Sequence, residues 1–281
     1  MKYVTAVIFI SLGFCLTAQN IPGVDKPGSY AKTAATCYKT FYNEPEKLDT
    51  LTRPEGMISQ RIWRIIDLKS PGNQFMNYNQ PKTCQFDLWE ILRFGLKTGK
   101  INAFRSDNFS SAQANLIPKK EVLSMMRVHD TITETVFDSE GNETKTEKVR
   151  DEDISSASLS GYIVCEDWYF DSHWAKADKR IVCIAPIFFD DKQQKEKPLF
   201  YLYYNECRNL LSSYQVPLTD PKDSLTYDKL FLKRKFEFYV MKKTNVFNRS
   251  VNDYSKGKTI EYESDKTIRE LLSKDFDQFE H

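Results

Sequence analysis

The feature that most constrains this chain is a pair of strand-like stretches that are apolar on both sides of an extended backbone. Between Arg180 and Phe189, residues Ile181, Cys183, Ala185 and Ile187 alternate to one side, and Val182, Ile184 and Phe188 to the other. From Leu199 to Tyr204, Leu199, Tyr201 and Tyr203 oppose Phe200, Leu202 and Tyr204. A strand with no polar face has to be covered on both faces. A third stretch, Leu159–Phe170, precedes them with the same β-branched and aromatic composition. The polar connections 171–179 and 190–198 are about nine residues each, and a parallel crossover needs about a dozen or more. The three stretches therefore predict an antiparallel meander over 159–204, lying in the middle of a sheet. The fold class expected is α+β, an antiparallel sheet with a central meander covered by helices on both faces.

The start of the chain reads as an export signal. Lys2 is followed by an apolar run, Val4–Leu16, too short to span a bilayer, and Ala18 is a plausible residue before a cut. The expected organisation is a signal peptide at 1–18, an extended arm at 19–56 and one α+β domain at 57–281. The mature protein is then exported, without a membrane span. Lys plus Arg is 40 against 39 for Asp plus Glu, which leaves no field to steer nucleic acid. Beyond the leader five cysteines remain, Cys37, Cys84, Cys165, Cys183 and Cys207, an odd number without CxxC spacing. A disulfide framework is not expected in a domain of this size. Folding the first two strands about residue 174 sets Cys165 opposite Cys183, either as a bridge or as two small buried hydrophobes.

Along the chain, Gln19–Gly56 carries five prolines or glycines before Pro54 and scattered aromatics, the composition of an arm that is either disordered or docked. Met57–Leu68 fits either a helix face or a strand, and Ser70-Pro71-Gly72-Asn73 breaks it. Leu88, Leu92 and Leu96 with Trp89 and Ile91 predict a helix over 85–98, with Thr83 as a cap and Gly99 as its left-handed stop. A short strand at 101–104 and a helix from Pro118 to Met126 follow. Arg127–Phe137 and Thr144–Arg150 flank Asp138–Asn142, a hairpin pattern whose charges suggest an exposed ribbon. After the meander, Asn205 is placed to cap a short helix, and Thr226 to cap a long one reaching about Lys243. A charged helix closes the chain within 259–279.

Signals for chemistry are sparse. There is no phosphate-binding glycine loop, GxSxG, HExxH or paired CxxC. Glu166, Asp167 and Asp171 lie near His173, a grouping with acid–base potential if the carboxylates are not tied up by Lys179 or Arg180. Cys165, His173 and Cys183 supply only three irregular metal ligands. Trp174 and the abundant tyrosines could form a stacking platform for carbohydrate. Neither catalytic, cofactor nor metal residues are assigned; an exported hydrolase or carbohydrate-binding module using 166–174 is the alternative function.

The same residues carry a resemblance. GYIVCEDWYFDS, RIVCIAPIFFDD and PLFYLYYNECRNLL resemble the core of the GldN/PorN family. Trp63, Arg64, Ile66 and Asp67 match its Trp-Arg-x-Ile-Asp element, and the segments beginning FDLWEIL and LTYDKLF also follow it. The resemblance spans about 57–279. It implies a non-enzymatic subunit of a periplasmic ring in the type IX secretion and gliding apparatus of Bacteroidetes. The implied partners are a GldK/PorK-like outer-membrane lipoprotein, a GldM/PorM-like periplasmic domain and neighbouring copies of itself. A closed ring needs one face of a subunit to meet a different face of the next. The arm 19–56 and the ribbon 127–150 are the expected contact elements, since neither has an obvious core to join.

Overall fold

A computed structural model describes residues 44–48, 58–80, 84–109, 115–137, 143–171, 176–190, 195–217, 225–245, 249–251 and 260–277. The segment read as a signal peptide, most of the stretch read as an arm, and residues 172–175 with His173 and Trp174 lie outside them. The strands are β1 (Ile58–Asp67), β2 (Ala103–Phe104), β3 (Arg127–Phe137), β4 (Glu143–Asp153), β5 (Leu159–Asp171), β6 (Lys176–Asp190), β7 (Lys195–Pro198), β8 (Tyr201–Tyr203) and β9 (Tyr239–Lys243). The helices are α1 (Leu88–Thr98), α2 (Lys119–Met125), α3 (Tyr204–Leu211), α4 (Tyr227–Leu232) and α5 (Ile260–Asp277). The fold is α+β: a seven-stranded sheet runs β2-β8-β6-β5-β1-β9, with β7 also on β6, and β3-β4 forms a separate two-stranded sheet.

The meander stands where the pattern put it. β5 and β6 pair antiparallel at the sheet's middle, with Cys165 directly opposite Cys183. Both thiols are free and fully buried, as is that of Cys207. One parity is exchanged: Ile181 sides with Ile184 in the main core, while Val182 packs with Cys183 on the other face. A bulge between the Cys165 and Glu166 pairings causes this, because an extra residue on β6 reverses the alternation beyond it. The third strand is also shorter than its composition suggests. β7 ends at Pro198, β8 spans Tyr201–Tyr203, and Tyr204 already opens α3.

Met57–Leu68 resolves to a strand. Ile62, Arg64 and Ile66 face the main core, and Trp63 and Ile65 pack on the opposite face against Cys165 and Ile163. A helix would have left one of these two sets unpartnered. β1 lies so close to β5 that a Cβ on Gly161 would run into the carbonyl oxygen of Ile66. The main core packs α1, α2, α3 and α4 against one face of the sheet. Ile268 of α5 packs beside them on Ile62, Trp168 and Val240. On the second face, Ile163, Cys165, Cys183, Ala185 and Ile187 are also buried. Among the described residues, Phe109 reaches it from outside the sheet, at the head of a stretch that mostly lies beyond them.

Several local expectations change. The first helix is capped by Asp87, which accepts from the Glu90 amide at 2.7 Å, and Gly99 ends it at φ 72° as expected. The helix predicted to run from Thr226 to Lys243 stops at Leu232, although Thr226 does cap it, accepting from the Lys229 amide. The reason is tertiary: Arg234 turns the chain at φ 51°, and residues 239–243 continue as an edge strand on β1. Asn205 lies inside α3 instead of capping it. Cys84 is disulfide-bonded, against the expectation of no framework, and its partner lies outside the described residues.

The turn at Arg234 is held by a buried ion cluster. Glu166 is fully buried between Arg64 of β1, at 2.9 Å, and Arg234, at 2.7 Å. The Arg64 guanidinium also stacks 4.1 Å from the Phe238 ring centroid. Removing the carboxylate would strand the buried Arg64 and release the partly exposed Arg234, a change that costs roughly 3 kcal/mol. Glu166→Ala should therefore lower the urea midpoint by a corresponding amount and fray β9, read as faster amide exchange at 239–243.

Asp87 gives a pH dependence. Burial pushes its pKa up to about 7, against the opposing hydrogen bond from the Glu90 amide. A folded pKa above the unfolded value means that the associated stability is whole below about pH 4 and falls as pH rises through about 7. Asp87→Asn keeps a good cap and should flatten that slope, with urea midpoints at pH 5 and pH 8 drawing together.

Candidate functional site

The residues with potential chemistry are occupied by the scaffold. Glu166 sits in the ion cluster, and its second role is to accept from the Trp168 indole at 3.2 Å. Asp167 is bound by Arg61 at 2.6 Å, not by Lys179 or Arg180; Arg180 instead pairs with Asp178 at 2.7 Å. Lys179 lies 3.9 Å over the Trp168 ring. The two carboxylates point to opposite faces of β5, so they share no reaction space. His173 and Trp174 lie outside the described residues, so the grouping around them is not assembled here. Among the described residues no cluster of His, Cys, Asp and Glu is arranged to hold a metal ion. Trp89 and Trp168 are buried, and Trp63 carries Lys242 at 4.5 Å above its ring.

The β3–β4 ribbon pairs with no described strand of the main sheet, and Val128 at its foot packs against the main core. Its eleven paired residues run from Arg127↔Asp153 at the foot to Phe137↔Glu143 at the tip. The sequence reading had the return strand ending at Arg150; pairing continues through Asp153. The foot is fastened closely. The Ile154 amide donates to the Met126 carbonyl at 2.9 Å, and the Trp89 indole donates to the Ile154 carbonyl at 2.7 Å. Asp153 accepts from Lys97 at 2.9 Å and from Arg93 at 3.1 Å, both on α1, and lies 3.6 Å from Arg127. One turn of helix separates Arg93 from Lys97, so both cations reach one carboxylate. Arg127 and His129 both meet Asp151, at 2.9 and 3.1 Å.

Beside this foot opens a cleft of about 860 Å³. The ribbon contributes Arg127 and His129, the following segment Ile154, and the far ends of β6 and β7 contribute Phe188, Glu196 and Lys197. Its wall is mixed, apolar at the base and charged of both signs at the rim, which suits a polypeptide better than a small metabolite. A second opening of about 530 Å³ is lined by Arg61, Lys179, Arg180 and Arg234 and by Leu48 of the arm. There the arm meets its own domain: Arg208, clamped by Asp228 at 2.9 Å, donates to the Glu46 carbonyl.

The Trp-Arg-x-Ile-Asp residues now have roles. Trp63 donates its indole N–H to Asp107 at 2.7 Å, Arg64 neutralises Glu166, Ile66 is core, and Asp67 accepts from the Lys69 amide at 2.8 Å to turn the chain. All four hold the sheet together; none lines a reactive pocket. The family model of the gliding motility associated protein GldN matches residues 52–280. This chain belongs to the GldN family. The match includes the sheet, the ribbon and its foot, and leaves out residues 1–51 and 281. No curated protein matches the chain. A gliding-motility component without a reactive centre among its described residues directs attention to surfaces, and the foot of the ribbon is the surface that sequence reading missed. Its signal was the Arg93–Lys97 pair, two cations four residues apart on α1.

Asp153 makes the foot testable. Burial raises its pKa, but the Lys97 hydrogen bond and the Arg93 and Arg127 charges outweigh that and hold it below the usual value. This contribution is whole above the unfolded aspartate's range and disappears as pH falls through the lowered pKa. Asp153→Asn should loosen the ribbon by about 1 kcal/mol. The effect is read as faster amide exchange at 127–129 and 151–153, with the central strands unchanged, and it should fade in acid, as the pH falls through the lowered pKa.

Proposed function

We propose that this GldN-family protein is a structural, non-enzymatic subunit of a periplasmic ring in the type IX secretion and gliding machinery. In this reading it is exported through its 1–18 leader and held at the inner face of the outer membrane by a GldK/PorK-like lipoprotein. A GldM/PorM-like periplasmic domain contacts the ring from the motor side. The observation that carries the proposal is a ribbon of eleven residue pairs that is fastened at one end and forms a sheet separate from the main one. An isolated two-stranded hairpin is marginal in water, and a surface that projects from a rigid foot suits contact with another subunit. Family membership supports the machine; engagement of Glu166 and Asp167 by arginines supports a scaffold over a hydrolase.

The arm is the second contact element. Its described piece, 44–48, meets the domain at Arg208, which donates to the Glu46 carbonyl. Co-expression of residues 19–281 with the lipoprotein, followed by negative-stain imaging, should give rings. Replacing 131–148 by an Asn-Gly turn should abolish rings while leaving the urea midpoint unchanged within about 0.5 kcal/mol. Deleting 19–56 should weaken lipoprotein binding at least about tenfold, an energy of about 1.4 kcal/mol. Undiminished binding by the truncated chain would remove the arm from the proposal, and rings formed without the ribbon would overturn it.

A further inference from the structure

Among the described strands, none lies beside Asp178–Val182 on the side of β6 that faces away from β5: β8 pairs with β6 at Cys183 and Ile184, and β7 from Ile187 onward. The opening of about 530 Å³ sits on this bare edge and straddles it, because its lining comes from both faces of the sheet. Adjacent residues of a strand point to opposite faces, so Lys179 and Arg180 diverge there. Lys179 stands opposite Trp168 and lies 3.9 Å over its ring, on the face where Arg234 meets Glu166. Arg180 stands opposite Asp167, on the face where Arg61 binds that carboxylate. Each lip of the opening thus carries two cations.

Those cations outnumber the acids around them. Asp167 is the carboxylate in the lining; Glu166 is fully buried beneath Arg234, and Asp178, which pairs with Arg180, lies outside the lining. With Arg64 and Asp107 included, five cations meet four carboxylates. Arg61 and Arg234 each make three hydrogen bonds, fewer than a guanidinium can donate, and their side chains are 27% and 25% exposed. Main-chain pairing contributes little here. The Lys179 amide donates to Asp178 at 2.7 Å and its carbonyl accepts from Arg234 at 3.3 Å, which blunts the edge for a long added strand. What selects an occupant is therefore charge, set out on both sides of the edge. The whole chain has a formal charge of +1, so this attraction is local.

We infer that this edge of β6 docks an acidic, extended segment of another polypeptide. Consecutive side chains of such a segment alternate in direction, so neighbouring carboxylates fall in turn to the Lys179–Arg234 lip and the Arg61–Arg180 lip. A single phosphate group has no such pair of directions. The inference rests on the reading of the chain as an assembly subunit in taking the partner to be a polypeptide, and its test uses the chain without the lipoprotein.

The experiment is fluorescence anisotropy of labelled deca-glutamate titrated with the full chain in about 50 mM and about 500 mM NaCl. The expected result is saturable binding that weakens at least about tenfold at the higher salt, and at least about tenfold weaker binding of deca-lysine. Replacing Lys179 and Arg180 together by Ala should raise the dissociation constant at least about tenfold. The charge-matched control, Lys119→Ala with Lys120→Ala on the exposed start of α2, should keep it within about twofold. Lys179→Gln alone, which keeps most of the packing over Trp168, should raise it about threefold, so a folding defect in the double variant leaves the test intact. Binding that is absent at about 200 μM protein, that the control lowers equally, or that deca-lysine matches overturns the inference. So does capture by phosphatidylglycerol vesicles that inorganic phosphate competes and deca-glutamate does not. Rings formed with the lipoprotein by a chain that fails to bind the peptide would fell this contact alone; peptide binding without rings would fell the ring reading alone.

Discussion

The sheet depends on one buried carboxylate. Glu166 of β5 meets Arg64 from β1 and Arg234 from the turn after α4, and it is fully removed from water. Taking Glu166 and Arg64 out of water carries a desolvation cost that the attraction of the cluster does little more than offset. What the cluster supplies is register. A one-residue slip of β1 would carry Arg64 to the opposite face and leave Glu166 with the single charge of Arg234. The same slip would pull Trp63 away from Asp107 and Ile66 out of the core. Arg234 contributes further by holding a non-glycine residue at φ 51°, with bonds from its side chain to Glu166, the Leu232 carbonyl and the Lys179 carbonyl. That strained turn ends α4 and delivers β9 to the open edge of β1.

This explains what sequence could and could not show. Elements specified by neighbours in the chain were legible: the meander, the facing Cys165 and Cys183, the ribbon, the body of α1 with its Gly99 stop. Elements decided at long range were not. Residues 233–243 have good helical periodicity, and nothing local says that β1 will offer an edge or that Arg234 will find Glu166, 68 residues away. The exchange of Ile181 and Val182 depends on a bulge, and a bulge is invisible to a strict period of two. Asp167 was expected to use the cations just across the hairpin, yet Arg61, from the strand on the other side, sits closer. The candidate site was less legible than the fold, because the foot of the ribbon gathers Asp153, Arg93, Lys97 and Arg127 from three separate elements.

The residues that carried the resemblance are structural for the same reason. Trp63 and Arg64 are adjacent, so a strand sends them to opposite faces, and each then satisfies a buried or half-buried acid there. A dipeptide that fixes both faces of a sheet at once is hard to replace piecemeal. A signature of this kind reports the architecture, and whatever varies among such proteins in function must lie on surfaces that the architecture presents.

The ribbon is where that argument leads. Eleven extended residues reach roughly 35 Å, and a hairpin of that length held only by its own ladder would sway. At its base, however, one carboxylate is shared by two cations of α1, and the backbone just beyond is pinned by the buried indole of Trp89. α1 is itself packed into the main core through Leu88, Leu92 and Leu96. A force on the ribbon therefore passes through Asp153 and Ile154 into a helix buried in the main core, not into a loop. A flexible tether would need none of these fastenings; a projecting element that must keep its angle while neighbours press on it needs all of them.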